Sequence, residues 1–473
     1  MNSNDFRKYG HEFVDWMADY FENIERFPVV SEIKPGEIFN QLSERAPTRG
    51  ESMDDIMKDF ADIIMPGMTH WQNPSFHAYF PANNSYPSVL AEMLTATLGA
   101  QCMVWQTSPA AAELEEKVMI WLRDMLGLSS EFSGVIQDTA SAATLVALLT
   151  AREKLSDYKI NKHGFDNSNY RIYCSVEAHS SIEKAVKIAG FGSDNLVTIE
   201  VDENFAIIPE ELEAAVIRDK ENGFVPLCII GAFGTTGSTA VDAIKPLGEI
   251  AHKYDLWYHV DAAYIGSAMI LPEMRHYLEG VEMIDSFVFN PHKWLMTNFD
   301  CSAYFVKDQE ALIRTFEIMP EYLKTKQDEH VNNYRDWGIQ LGRRFRALKL
   351  WFVIRNYGVE GLQNKIRNDL RLTQYVEQKL RQSVKFDILA PVNFNVICFR
   401  YNPGNLNTEE LNGINLQMLD LINRSGKVFL THTKLNGDYV IRLVIGQTNV
   451  EKKHADKVLG IIFDTVSKFE GEK

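Results

Sequence analysis

Apolar residues at positions 6, 13, 16, 17, 20 and 21 (Phe6, Phe13, Trp16, Met17, Tyr20, Phe21) recur at helical spacing, so residues 6–25 predict an amphipathic helix that Pro28 stops. So aromatic a face needs cover, from its own chain or from a second subunit. Residues 70–81, rich in aromatics and proline, follow neither the helical nor the strand period and predict an ordered loop. From about residue 110 to 310 two patterns alternate. Helical periodicity over 110–126, 140–155, 181–189, 209–221 and 244–254 is interleaved with short apolar runs at 134–137, 170–175, 196–200, 227–233 and 256–260. That alternation predicts an α/β fold with a mostly parallel central sheet covered by helices on both faces. Ligands of such sheets bind outside the carboxyl ends of the strands.

A long helix is expected over 340–357, and beyond about 370 the rhythm changes. A charged helix at 369–382 leads into strands at 386–389, 396–401, 428–433 and 439–445, then a closing helix at 450–469. The division expected is an N-terminal helical segment (1–85), a large domain (86–370) and a smaller C-terminal α+β domain (371–473).

Composition narrows the classes. The 473 residues are 45% hydrophobic and 24% charged, a globular balance. A net charge of −16 argues against a nucleic-acid partner. No run approaches 18 apolar residues, and the first residues lack an apolar signal core, so neither a membrane partner nor secretion is expected. Five scattered cysteines without a Cys-x-x-Cys pair point to a reducing cytoplasm and to no metal site.

Chemistry concentrates at strand ends. Phe287-Val288-Phe289-Asn290-Pro291-His292-Lys293-Trp294 sets one lysine in apolar sequence, where it is costly unless paired, deprotonated or covalently bound. A neutral buried lysine suits bond formation with an aldehyde; a lysine snorkelling at a strand end is the plainer alternative. His259-Val260-Asp261-Ala262-Ala263-Tyr264 places a carboxylate among small residues 32 positions earlier. It could hold a pyridine nitrogen protonated, or merely cap a turn. Gln137-Asp138-Thr139-Ala140-Ser141 opens a helix with hydroxyls and free N–H groups, suited to a phosphate or to ordinary capping. His179 follows a strand and could stack on a flat cofactor and orient a substrate carboxylate, or be a capping or core histidine. Residues 324–337, containing Tyr334, read as a mobile loop able to bring a proton donor, or as an exposed linker.

Asn290-Pro291-His292-Lys293-Trp294, His259 to Tyr264, and Trp105 with Ser108-Pro109 and Glu113-Leu114-Glu115 resemble the group II pyridoxal-phosphate decarboxylases. His70-Trp71, Ala78-Tyr79-Phe80-Pro81, Asn298 to Ser302 and Tyr334 to Trp337, continuing through Leu341 to Arg346, are most similar to the aromatic L-amino acid decarboxylases. The resemblance spans about residues 6–465. It implies the aspartate aminotransferase type of fold and decarboxylation of an aromatic amino acid to its amine, with pyridoxal 5'-phosphate as cofactor. It also implies a homodimer with active sites at the subunit interface, the N-terminal segment being swapped onto the partner.

By this resemblance Lys293 carries the cofactor, Asp261 pairs with its ring nitrogen, Ala263 lies under the ring and His179 over it, with Thr236 near His179. Ala140, Ser141, Asn290 and His292 surround the phosphate. Trp71, Tyr79 and Phe80 line the side-chain pocket with Pro81 and Ala82 beside them, and Gln101 and Met103 arrive from the second subunit. Tyr334, from the partner's loop, is the expected proton donor to carbon; relatives with phenylalanine there form an aldehyde instead. A histidine or glutamate substrate and a non-catalytic scaffold are the remaining alternatives. Three features depart from the family pattern: Asp138-Thr139-Ala140-Ser141-Ala142 replaces Gly-Ser-Ala-Ser-Glu, Ala82 replaces threonine, and Gln101 and Met103 replace bulkier apolar residues.

Overall fold

The computed structural model describes residues 1–165, 168–318 and 331–471. Helix α1 (Ser3–Glu22) begins three residues before the periodicity because Asn2 caps it, its side chain accepting from the N–H groups of Asn4 and Asp5. Its aromatic face packs on nearby segments of the same chain, with Trp16 against Phe60 and the Tyr20 hydroxyl 2.9 Å from His70 Nδ1. Helix α2 (Tyr86–Leu98) and helix α3 (Pro109–Leu126) lead into the large domain.

The large sheet has seven strands in the order β1-β7-β6-β5-β4-β2-β3. They are β1 (Ser133–Gln137), β2 (Tyr170–Ser175), β3 (Leu196–Ile199), β4 (Val225–Ala232), β5 (Trp257–Asp261), β6 (Ser286–Phe289) and β7 (Ser302–Val306). Strand β7 runs antiparallel to both neighbours, and the pairings among β2 to β6 are parallel. The central strands are mostly apolar because helices cover both faces: β6 and β7 are buried at every position. Helices α4 (Ala140–Leu155), α5 (Ser181–Ile188), α6 (Pro209–Glu221) and α7 (Ile244–Tyr254) are crossover elements, and α8 (Gln309–Phe316) follows β7.

Residues 340–345 are not helical as expected; helix α9 runs over Arg346–Arg381, interrupted at Gly358 (φ +65°, ψ 167°). The cause lies far away in sequence. Arg343 makes a buried bidentate pair with Glu115, at 2.6 and 3.1 Å, and donates to the Ile136 carbonyl, pinning this stretch against α3 and β1. Position 370, where a domain boundary was expected, therefore lies inside α9, and the chain's only break in this helix is at Gly358.

Four antiparallel strands form the smaller sheet, ordered β10-β11-β9-β8: β8 (Phe386–Ile388), β9 (Val396–Tyr401), β10 (Thr431–Leu435) and β11 (Asp438–Val444). The β10–β11 hairpin turns at Asn436-Gly437, both with positive φ, as a two-residue turn requires. Helices α10 (Thr408–Arg424) and α11 (Lys452–Gly471) pack on it. The loop over 70–81 is ordered by this sheet: His77 N donates to Phe429 O at 2.9 Å and Val444 N to His77 O at 3.0 Å.

Candidate active site

Four chain segments leave the carboxyl ends of four strands of the large sheet and meet around one cavity of about 180 Å³. They are residues 139–141 after β1, 232–236 at and after β4, 261–264 at and after β5 and 290–293 after β6; His179, beyond β2, closes another side. Sheet pairing positions these turns. Ala262 N donates to Val288 O (2.9 Å) and Asn290 N to Ala263 O (3.0 Å), so hydrogen bonding continues past the end of β5 and seats the two turns side by side. Gly234 (φ +98°) is required where the third turn passes Ile265, because a Cβ there would lie 2.5 Å from that side chain.

Lys293 and Asp261 line this same cavity. Burial pushes the Lys293 ammonium below the ordinary lysine range, and the Asp261 charge partly offsets it. The Lys293 Nζ stands 5.4 Å from the centre of the Phe80 ring. Asp261 is fixed by the Ala263 N–H, which donates to Oδ1 at 3.1 Å. The His179 pKa is lowered by burial, raised by Asp261 and lowered by Lys293 and Lys184. His292 is pushed down to about 3, by burial first and then by Lys293. Its Nδ1 accepts from the Cys301 N–H at 2.9 Å.

The start of α4 offers an anion cradle. The Thr139 hydroxyl accepts from Ala142 N (3.3 Å), while the first-turn N–H groups of Ala140 and Ser141 have no partners within the helix. Asp138 does not line the cavity: its Oδ1 accepts from the Thr139 N–H (2.6 Å) and hydroxyl (3.1 Å), and Oδ2 from Gln340 (3.2 Å). The residues present fit pyridoxal phosphate. A lysine of lowered basicity faces a carboxylate across a space walled by Ala232, Gly234 and Ala263, with helix N–H groups at one side.

A model of the pyridoxal-dependent decarboxylase conserved domain matches residues 35–402. The chain belongs to that family. This decarboxylase is 43% identical to tryptophan decarboxylase 2 of Oryza sativa subsp. japonica over 483 residues, covering 100% of the chain and 96% of the relative. It is 44% identical to phenylacetaldehyde synthase of Arabidopsis thaliana, covering 99% and 97%. Its structure is similar to that of Catharanthus roseus tryptophan decarboxylase in complex with L-tryptophan, with a TM-score of 0.93, 40% identity and 99% of each chain covered. Oryza sativa TDC with PLP and tryptamine gives a TM-score of 0.95 at 35% identity, again covering 99% of each chain. The cofactor of this decarboxylase is pyridoxal phosphate. The resemblance to aromatic amino acid decarboxylases agrees with these relatives.

Ten of the expected site residues line the cavity: Lys293, Asp261, Ala263, His179, Ala140, Ser141, Asn290, His292, Thr236 and Phe80. Trp71, Tyr79, Pro81 and Ala82 do not. Tyr79 has a positive φ of 53° and turns away from its neighbour Phe80, stacking on Trp71 at 5.8 Å; the two are 51% and 37% exposed. Pro81 is buried beside Gly446, and the Ala82 carbonyl accepts from Gln72. Gln101 and Met103 stand outside their own chain's cavity; Gln101 Oε1 accepts from Arg343 N at 2.7 Å.

Tyr334 stands apart from the cavity of its own chain. Part of the expected loop, residues 324–330, lies outside the described residues. Tyr334 itself is buried: it sits in a short turn, 2% exposed, packed on Trp337 at 5.2 Å, with the Arg343 guanidinium 4.8 Å from its ring centre. Its hydroxyl is buried near Asn332, away from the Lys293 cavity, and burial raises its pKa well above the ordinary value. So placed, it stands outside its own chain's Lys293 cavity.

The residues that sequence reasoning left unassigned include Thr139, Ser181, Tyr264 and Phe299, all on the cavity wall. Hydroxyls at helix starts read as plain caps, and the apolar ones carried no chemical signal.

Proposed function

We propose that this decarboxylase removes carbon dioxide from aromatic L-amino acids and releases the arylalkylamine, with Lys293 as the cofactor-bearing residue. The observation that carries the reading is the shared cavity of Lys293 and Asp261 beneath an aromatic wall of Phe80 and Tyr264. Phe80 stacks on Tyr264 at 3.8 Å, and such a face suits an indole or phenol side chain better than a carboxylate.

The bound cofactor supplies an electron sink for the pair left on Cα when carbon dioxide departs. The protein's part is positioning and proton control. Lys293, its basicity lowered, is disposed to lose its proton and bond to an aldehyde. Asp261, held by the Ala263 N–H, would keep a proton on the cofactor's ring nitrogen. The open N–H groups of Ala140 and Ser141, with Thr139, Asn290 and His292, would hold the phosphate, and His179 and Ala263 would contact the rest of the cofactor. His179 orients the substrate carboxylate, and the Phe80–Tyr264 wall excludes water from it.

The functional unit is a homodimer in the cytoplasm. Tyr86, Leu90, Leu94 and Leu98 recur every fourth residue along α2 and are 55%, 51%, 47% and 63% exposed, an apolar stripe that a second copy would cover. In that assembly the N-terminal segment lies on the partner, and Gln101 and Met103 reach the partner's site. The five buried free cysteines suit a reducing compartment.

The test is amine formation across tryptophan, tyrosine, phenylalanine, dihydroxyphenylalanine, histidine and glutamate with cofactor added. Lys293→Ala should remove both turnover and an absorbance band near ~420 nm. Retained turnover in that variant would sink the assignment. The likeness to an aldehyde synthase favours one second reading, oxidative release of an aldehyde, and peroxide formed in step with substrate loss would select it.

A further inference from the structure

His179 meets Ser181 twice. Its Nδ1 accepts the Ser181 backbone N–H at 3.1 Å and lies 2.7 Å from the Ser181 hydroxyl. A backbone N–H can only donate, so Nδ1 carries no proton, and the proton of the neutral ring sits on Nε2. Among the described residues Nε2 has no hydrogen-bond partner, while the residue itself lines the cavity, so that edge is left for a ligand. We infer that Ser181 is a positioning residue, fixing His179 as the Nε2–H tautomer so that the imidazole meets the substrate carboxylate as an uncharged donor. This rests on the decarboxylase reading of the site.

A second imidazole repeats the arrangement. His292 Nδ1 accepts the Cys301 N–H at 2.9 Å, which leaves its proton on Nε2 as well. Both histidines of the cavity are thus held by main-chain donors with the same nitrogen free. Charging His179 would set an Nδ1–H against the Ser181 N–H. The charged groups acting on the ring are Asp261, which favours its protonation, and Lys293 and Lys184, which oppose it, and burial adds to the opposition.

The chemistry explains why an uncharged donor serves. Carbon dioxide leaves without the charge its carboxylate bore, so a cation bound to that carboxylate would stabilise the substrate more than the transition state and raise the barrier. Among the described residues Lys293 is the one lysine on the cavity wall, and no arginine lines it. A neutral imidazole orients the group without that penalty.

The experiment is ring-nitrogen NMR of the full-length holoenzyme labelled with 15N-histidine, with His179→Gln to assign the signals. The expected spectrum has a protonated Nε2 and an unprotonated Nδ1 at His179, constant from about pH 6 to 8. Ser181→Ala keeps the N–H and loses the hydroxyl. The imidazole pKa should rise, and the acid limb of the kcat profile should move up by about half a pH unit or more. Ser181→Asp offers a carboxylate acceptor at a helix start that tolerates it; the tautomer should flip, the ring should charge, and kcat should fall about 100-fold while KM does not rise. A protonated Nδ1 in the parent enzyme, or Ser181→Asp with unchanged kcat, overturns the inference. The spectrum is read without turnover, so failure to form amine from any amino acid counts against the functional reading alone.

Discussion

The Tyr264 hydroxyl accepts a hydrogen bond from Asn395 Nδ2 at 2.5 Å, and this bond joins the cavity to the smaller sheet. Tyr264 lies in a column of rings, stacked on Phe80 at 3.8 Å and on Trp294 at 5.2 Å, and the Trp294 indole N–H donates to Asp369 of α9 at 2.9 Å. Asn395, just before β9, also donates to Ile445 O at 2.8 Å. Asn395→Ala would leave the Tyr264 hydroxyl and the Ile445 carbonyl buried without this donor, at a cost of about 1–3 kcal/mol. The expected outcome is a lower denaturation midpoint and a KM that rises more than kcat falls, because the Phe80 wall loses its support. Tyr264→Phe, which removes only the hydroxyl, should be milder. Unchanged midpoint and KM in Asn395→Ala would refute the linkage.

Tyr334→Phe should leave amine formation within a few-fold of the parent, because the hydroxyl is buried outside the Lys293 cavity and makes no hydrogen bond of good geometry. Removing an unpaired buried hydroxyl should be neutral or slightly stabilising. Between Phe316 and Tyr334 the sequence carries one other tyrosine, Tyr322. Steady-state kcat for Tyr322→Phe beside Tyr334→Phe separates the two. A loss of about 100-fold or more in Tyr334→Phe, with stability intact, would restore it as a proton donor.

The elements with strong period and clear ends were legible from sequence: helices at 140–155, 209–221 and 244–254 match their observed bounds. So were Lys293 and Asp261, since a charged group at the end of an apolar strand has few uses. What was not legible depends on contacts distant in sequence. Residues 340–345 have helical composition, but Glu115, 228 positions from Arg343, holds them out of the helix. Trp71 and Tyr79 were assigned by the family resemblance, and one left-handed residue, Tyr79, decides that Phe80 alone faces inward. Tyr334 shares its motif with Arg343, yet packing on Trp337 and the Arg343 guanidinium buries it.

Asp138→Asn should tighten cofactor binding only modestly. The aspartate stands where a glycine is usual, beside the phosphate cradle, but its carboxylate is turned onto Thr139 and Gln340. The asparagine keeps the shape and removes one negative charge near the start of α4. A drop in the pyridoxal-phosphate Kd of about two- to fivefold is expected, at the scale of one partly screened charge. Fluorescence titration of the cofactor-free protein measures it. Weaker binding in the variant would mean that the aspartate's bonds shape the cradle more than its charge disturbs it.

Acid should destabilise the fold through histidines that are buried neutral. Burial lowers His77 and His259 to about 4, and the Val444 carbonyl, 2.9 Å from His77 Nδ1, only partly opposes this for His77. In the unfolded chain each titrates near 6.5. Between pH 6.5 and 4 the unfolded chain therefore binds protons that the folded one refuses, so stability falls as pH falls through that window. Asp242 acts in the opposite sense. Burial raises it to about 7 from 3.8, so its contribution is greatest below pH 3.8 and is lost as pH rises through 7. His77 lies away from the cavity, and His77→Asn can keep the donor to Val444 while removing the titration. Its stability curve between pH 6 and 4.5 should be shallower than the parent's by about one proton, roughly 1.4 kcal/mol per pH unit. Urea unfolding at several pH values reads that slope, and parallel curves for parent and variant would show that His77 is not a source of the acid sensitivity.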